Sequence, residues 1–184
     1  NWGKRQVAFV KQAIEAGLHK KVQIIIGNTE VTIPEAAGPG SYEGILAGAM
    51  WHWSLKDKYP GAKSLYNKFL KRRKRVPSGY GALAHDLTRV ILDTAKETKL
   101  YKPKDHFKLA KALEGRTFAY SKGNNTIRPC DHICVQQVFF LKGQSKAEMK
   151  GPFDHLKIVA ESSGEQNTLS CEAKGIKSAA STRS

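Results

Sequence analysis

Cysteine, acidic residues and long apolar runs are what this chain has least of. No apolar stretch approaches the roughly 20 residues that an α-helix needs to cross a bilayer; the longest are short pieces such as 22–26. Three cysteines in 184 residues are too few for a disulfide-stapled miniprotein. Only 16 Asp and Glu stand against 31 Lys and Arg, a formal charge of +15. That excess raises nucleic acid or an anionic membrane surface as partners and says nothing about fold. A hydrophobic content of 40% can fill a core, which excludes wholesale disorder and collagen-like repeats. The chain opens Asn1-Trp2-Gly3 without Met, so its true start is expected upstream. The Ser-, Ala- and Gly-rich segment 173–184 reads as a flexible tail.

Motifs of catalysis are missing too. There is no glycine-rich phosphate loop, no Gly-x-Ser-x-Gly and no His-Glu-x-x-His. His85-Asp86 lies in a helical pattern, where neighbours point in different directions, and reads as a surface or packing pair. Nothing nominates a nucleophile with its base, so no enzyme and no catalytic residue is expected. Cys130, His132 and Cys134 invite a zinc reading. Their surroundings look like a strand, in which residues four apart are separated by about 13 Å. That is too far for a Cys130–Cys134 bridge. Cys130 with Cys171 is the more plausible disulfide, and it would imply an oxidising compartment. No metal and no cofactor are expected.

What is present reads as α/β. Apolar residues at Val7, Val10, Ala13 and Ile14 predict a helix over 4–16 that stops at Gly17. Residues 21–26 predict a buried parallel strand. The segment 28–44, with Pro34, Pro39 and three glycines, predicts a long loop, and 45–53 a second strand. Helices are expected over 60–76 and 79–98, as an antiparallel pair against a sheet edge. In the second, Leu83, Leu87, Val90, Ile91 and Thr94 share one face. A short helix capped by Asp105, a turn over 123–129, and strands near 133–141 and 155–160 complete the pattern.

The run Lys71-Arg72-Arg73-Lys74-Arg75 invites a nucleic-acid patch. It has no interleaved aromatics and sits where a helix ends, so it reads more simply as a solvated C-terminus whose charges offset the helix dipole. The other cations make a dispersed basic surface rather than a groove. Trp51, His52 and Trp53 end the second strand and could line a small-ligand cleft, with Trp2 and the loop Asn28-Thr29-Glu30 as further candidates.

Several stretches resemble a known family. Phe9-Val10-Lys11-Gln12-Ala13, Glu15-Ala16-Gly17-Leu18, Ala37-Gly38 and Glu43-Gly44-Ile45 come first, then Phe69-Leu70 before Arg75-Val76-Pro77-Ser78. Ala112-Leu113-Glu114-Gly115, Ile127-Arg128-Pro129-Cys130-Asp131-His132 and Lys157-Ile158-Val159 follow. Together they resemble the C-terminal half of bacterial periplasmic solute-binding proteins of the branched-chain amino acid, amide and urea type. The Arg-x-x-Asp-His piece is the most specific, and the likeness covers nearly all of 1–172. His85-Asp86 departs from the family's more usual Tyr-Asp.

The resemblance implies a two-lobed type 1 periplasmic-binding-protein-like fold whose upstream half is absent here. Residues 1–47 and 129–172 would belong to the second lobe, and 48–128 to the first. It implies that Trp2 is a ligand-facing aromatic, that the loop after strand 21–26 supplies a polar contact to a ligand amino group, with Thr29 or Glu30 the nearest match, and that Trp51 or His52 lines the cleft near a crossover. It also implies a periplasmic (extracytoplasmic) solute-binding component of an ABC uptake transporter. The partners would be a small amino-acid-like or amide ligand and a membrane permease, with no nucleic acid. The alternative from charge alone is a basic protein that binds nucleic acid or anionic surfaces.

Overall fold

The computed structural model describes residues 2–176. Helix α1 spans Lys4–Glu15 and buries Gln6, Val10 and Ala13. Gly17 stops it in the left-handed region at φ 67°, where glycine carries no Cβ penalty. The expected strand over 21–26 shrinks to β1, Ile25–Ile26; a 3-10 turn over Leu18–Lys20 comes before it, and 21–24 are a turn, a bend and irregular backbone. It pairs parallel with β2, Leu46–Ala49, but lies at the sheet edge and leaves Ile25 71% exposed, so it is not the buried strand its composition suggests.

The loop expected over 28–44 contains a helix, α2, Thr32–Ala37. Pro34 argued against a helix there, yet it falls in the first turn, where backbone N–H groups have no intrahelical partner. The second strand ends at Ala49 rather than Trp53, and Trp53–Asp57 forms a 3-10 turn. Helix α3, Pro60–Arg73, packs on that turn; helix α4, Gly79–Thr98, is capped by the Ser78 hydroxyl, which accepts from the Gly81 N–H at 3.1 Å. Helix α5, His106–Leu113, packs on α4. The antiparallel pairing expected of α3 and α4 is replaced by a groove between them.

Two small strands were not visible in the sequence. The segment 123–129 holds β4, Asn125–Ile127, which sits between β3, Thr117–Phe118, and β5, Cys134–Val135, in an antiparallel three-stranded sheet. The strand expected over 133–141 is broken at Gln136 and Gln137. Its second part, β6, Val138–Gly143, leaves for the larger sheet, where it pairs antiparallel with β2 and with β7, Leu156–Ser162. That sheet has the order β1-β2-β6-β7. Ile26, Ala47, Phe139 and Leu141 form its core against α1, while Val90, Phe118 and Ile127 form a separate small core. The backbone leaves the larger sheet at 50–52 for α3, α4 and α5, which lead to the small sheet, and returns from the small sheet directly at 136–137.

Cys130 and Cys171 are bridged, with Cα atoms 6.4 Å apart. Cys134 is free and half-buried, and His132 turns instead to Glu114 at 3.1 Å, so the three residues of the zinc reading are not gathered. Arg128 forks onto Asp131 at 2.9 and 2.6 Å and donates to the Leu169 carbonyl, tying the C-terminal segment to the same corner. Of the tail expected over 173–184, Glu172–Lys174 begins in a 3-10 turn and 177–184 lie outside the described residues.

Candidate functional site

Parallel β1 and β2 direct their C-terminal ends to one edge of the larger sheet, where loops of α/β sheets carry ligands. The loop after β1 is pressed onto β2. The Thr29 N–H donates to the Gly48 carbonyl at 2.9 Å, and a Cβ on Gly48 would lie 2.6 Å from the Gly27 carbonyl oxygen. At this edge Asn28, Thr29, Glu30 and Trp51 line a narrow notch together with Met50, Gly79, Tyr80 and Leu83. The start of α4 closes it, since a Cβ on Gly79 would come within 3.1 Å of the Trp51 carbonyl oxygen.

Four of the six expected ligand residues therefore share one site. Trp2 joins from outside, packed edge-on against Tyr80 with ring centroids 5.1 Å apart. Trp51 is fully buried and donates from Nε1 to the Ser121 carbonyl at 3.2 Å, so it forms a wall rather than a free lid. His52 stands apart. Adjacent residues of extended chain face opposite sides, and its ring lies against Trp53 and Ser54, at 2.8 Å from the Ser54 hydroxyl. Burial pushes its pKa down to about 4, against an opposing pull from Asp154.

On two residues that line the notch, Thr29 Oγ1 and Glu30 Oε2 are buried without a hydrogen-bond partner among the described residues. Burial raises the Glu30 pKa; the Thr32 N–H and Arg75 pull the other way, and Glu35 adds to the rise. A buried polar atom without a partner costs stability, and the Thr29 hydroxyl lies beside the buried Tyr42 phenol. Sequence reasoning missed two members of the site. Tyr80 receives a hydrogen bond from Asn28 Nδ2 at 2.5 Å, and buried Gln6 donates to the Asn28 carbonyl at 3.1 Å. An aromatic in the first turn after Pro77-Ser78, and an amide on the apolar face of α1, were the available signals.

Two other clefts flank the fold. One, beside His52, is lined by Trp53, Tyr66, Phe153 and Lys56. The other is the α3/α4 groove, where Lys68, Arg72, Arg73 and Arg89 rim Phe69 and Tyr120, so part of the basic run does line a groove. His85 does bond its neighbour, with Nδ1 2.8 Å from Asp86 Oδ1, because Asp86 is buried and the half-exposed imidazole leans over it. Asp86 Oδ2 also accepts from the Ser121 hydroxyl at 2.6 Å. The carboxylate lies between serine and imidazole, so the serine has no base, and the group is structural.

The family profile described as periplasmic binding protein matches residues 1–148. The chain belongs to that family. Solved structures share its fold. An amino acid ABC transporter substrate-binding protein from Pseudomonas fluorescens is 21% identical with a TM-score of 0.84, over 97% of this chain and 46% of that one. A branched-chain amino acid ABC transporter periplasmic ligand-binding protein from Burkholderia xenovorans is 19% identical with a TM-score of 0.76, over 90% and 43%. A solute-binding protein of an ABC transporter from Rhodopseudomonas palustris, in complex with 3,4-dihydroxybenzoic acid, is 17% identical with a TM-score of 0.71, over 97% and 44%. This periplasmic-binding-protein chain thus spans less than half the length of these relatives and has the type 1 fold over that part. The comparison with curated protein sequences gave no match, and none of the comparisons supports the nucleic-acid reading.

Proposed function

We propose that this chain forms the C-terminal half of an extracytoplasmic solute-binding component of an ABC uptake transporter. It does no chemistry on its ligand. The observation that carries the reading is the notch, where Asn28, Thr29, Glu30, Trp51 and Tyr80 meet at the C-terminal ends of the parallel strands. Such a site suits the ammonium or amide head of an amino-acid-like ligand: Glu30 and Thr29 accept its N–H groups, and Trp2 and Tyr80 flank its side chain. The four-stranded sheet is assigned to the second lobe, and α3, α4, α5 with the small sheet to the first. In this reading the lobe boundaries, expected at 47/48 and 128/129, are taken at 50–52 and 136–137, a choice supported by the end of β2 at Ala49 and the pairing of β5 with β4.

Ligand contacts made from both lobes would stabilise a closed form, which a membrane permease then reads. The Cys130–Cys171 bridge supports an oxidising, periplasmic setting. The deciding measurement is the melting temperature of the full-length protein against a panel of amino acids, amides, urea and aromatic acids. At least one is expected to raise it with a concentration dependence of simple binding. A curve unmoved by every class overturns the reading.

A further inference from the structure

Lys122 is 2% exposed, and its ammonium reaches three acceptors: the Met50 carbonyl at 2.6 Å, Gln136 Oε1 at 2.6 Å and the Gln137 carbonyl at 3.1 Å. An ammonium has three donor hydrogens, so its capacity and the number of acceptors match. The placement of the acceptors is what matters. Met50 opens the stretch by which the backbone leaves the larger sheet for α3, α4 and α5, one inter-lobe passage of the assignment above; Gln136 and Gln137, between β5 and β6, are the other. Lys122 itself sits between β3 and β4, on the small-sheet side. One charge therefore holds both passages to a single point.

The rest of the surroundings fit a fastening role. Gln136 Nε2 also approaches the Met50 sulfur at 3.7 Å, and Trp51 Nε1 donates to the Ser121 carbonyl, so a second and a third contact tie the same segments. Facing the ammonium are the Asp86 carboxylate from α4, the Cys134 thiol from β5, and the Phe139 ring of β6 at 6.0 Å. An apolar residue here would leave two carbonyls and an amide oxygen dry and unpaired, at a cost in stability for each.

We propose that Lys122 is the positioning residue of the hinge, binding both inter-lobe passages so that they bend together and the two halves of the ligand site meet in one register. This rests on the lobe assignment proposed above. Without the fastener each passage bends on its own, the open form spreads over more inter-lobe angles, and closure on ligand becomes less exact.

The test places a fluorophore pair through clickable residues at Leu92 on α4 and Val159 on β7, both exposed, in the full-length protein with the Cys130–Cys171 bridge kept oxidised. Single-molecule distances in the ligand-free protein are expected to broaden in Lys122→Met and, less, in Gln136→Leu. The double variant should be no broader than Lys122→Met alone, the mark of one coupled unit. Dissociation of whichever panel compound binds is expected to be about tenfold faster in Lys122→Met, as for losing a charged hydrogen bond. A folded Lys122→Met with an unchanged distribution overturns the proposal. If that variant does not fold, an unchanged distribution in Gln136→Leu does so. Should no compound bind while the distribution still responds, the hinge role stands and the transport reading falls.

Discussion

Glu30 and His52 are both titratable, both buried, and opposite in what they do. Burial raises the Glu30 pKa, so its contribution to stability is full below the ordinary glutamate range and is lost as pH rises through the raised value. Burial makes its ionised form costly despite the Thr32 N–H and Arg75, a cost that a cationic ligand head would relieve. Glu30→Gln is therefore expected to leave the ligand-free melting temperature at pH 7 unchanged or higher, while weakening binding of an ammonium-bearing ligand by about tenfold or more; calorimetric titration beside a melt reads both. A variant that loses stability but keeps its affinity would remove Glu30 from the site. His52 works the other way. Its pKa falls to about 4, so between the ordinary histidine range and that value the unfolded chain binds more protons, and stability drops as pH falls through this window. Urea unfolding from pH 7 to pH 4 should show a decline that flattens in His52→Gln. An unaltered slope would mean that His52 is not the group being charged.

The notch was largely legible at the level of residue types, because aromatics and short polar residues at strand ends suggest ligands whatever the packing. Which side each faces was not. Trp51 and His52 are neighbours, and only the observed end of β2 at Ala49 and the turn that follows decide that the tryptophan walls the notch while the histidine turns away.

Among the elements, the helices followed the sequence best. The bounds of α4 match the expected helix over 79–98, since a Ser cap and a 3.6-residue apolar period are local signals. Strands did worse. β1, β3, β4 and β5 are two or three residues each, too short for period-two alternation to register, and they exist only because a partner strand pairs with them. The inward face expected of α4 is half right: Val90 and Thr94 are buried, yet Leu87 and Ile91 are about 40% exposed.

The disulfide belongs to this scale, since it anchors the segment after β7 to the corner after β4. It closes a loop between residues 41 apart, worth about 4 kcal/mol in the chain-entropy estimate. Reduction should lower the melting temperature by several degrees and release protease sites in 163–171 first. Equal melting in oxidised and reduced samples would show that Arg128, through Asp131 and Leu169, holds that corner unaided.

At the scale of the whole molecule, several large apolar side chains are exposed among the described residues. Ile25 on the open edge of β1, with Leu87, Ile91 and Leu92 on α4, lies on different elements, and the chain spans 46% of its Pseudomonas fluorescens relative. Uncovered patches and strand edges invite association. The 184-residue chain expressed by itself should bind a hydrophobic dye and self-associate, and Ile25→Lys with Leu87→Lys should reduce both while leaving the helical circular dichroism unchanged. A dye-silent monomer would argue that these faces are satisfied as they stand.

The amino-acid sequence by itself determined the composition of the surface, the longer helices, most of the residue types that meet at the notch and, through its stretches of likeness, the family. Those depend on residue chemistry and on spacings within one turn or one strand. Tertiary structure alone decided the two-sheet division, the parting of Trp51 from His52 and the meeting of Lys122 with both passages. Each of these joins residues tens of positions apart, and no local period records which distant backbone a side chain will find.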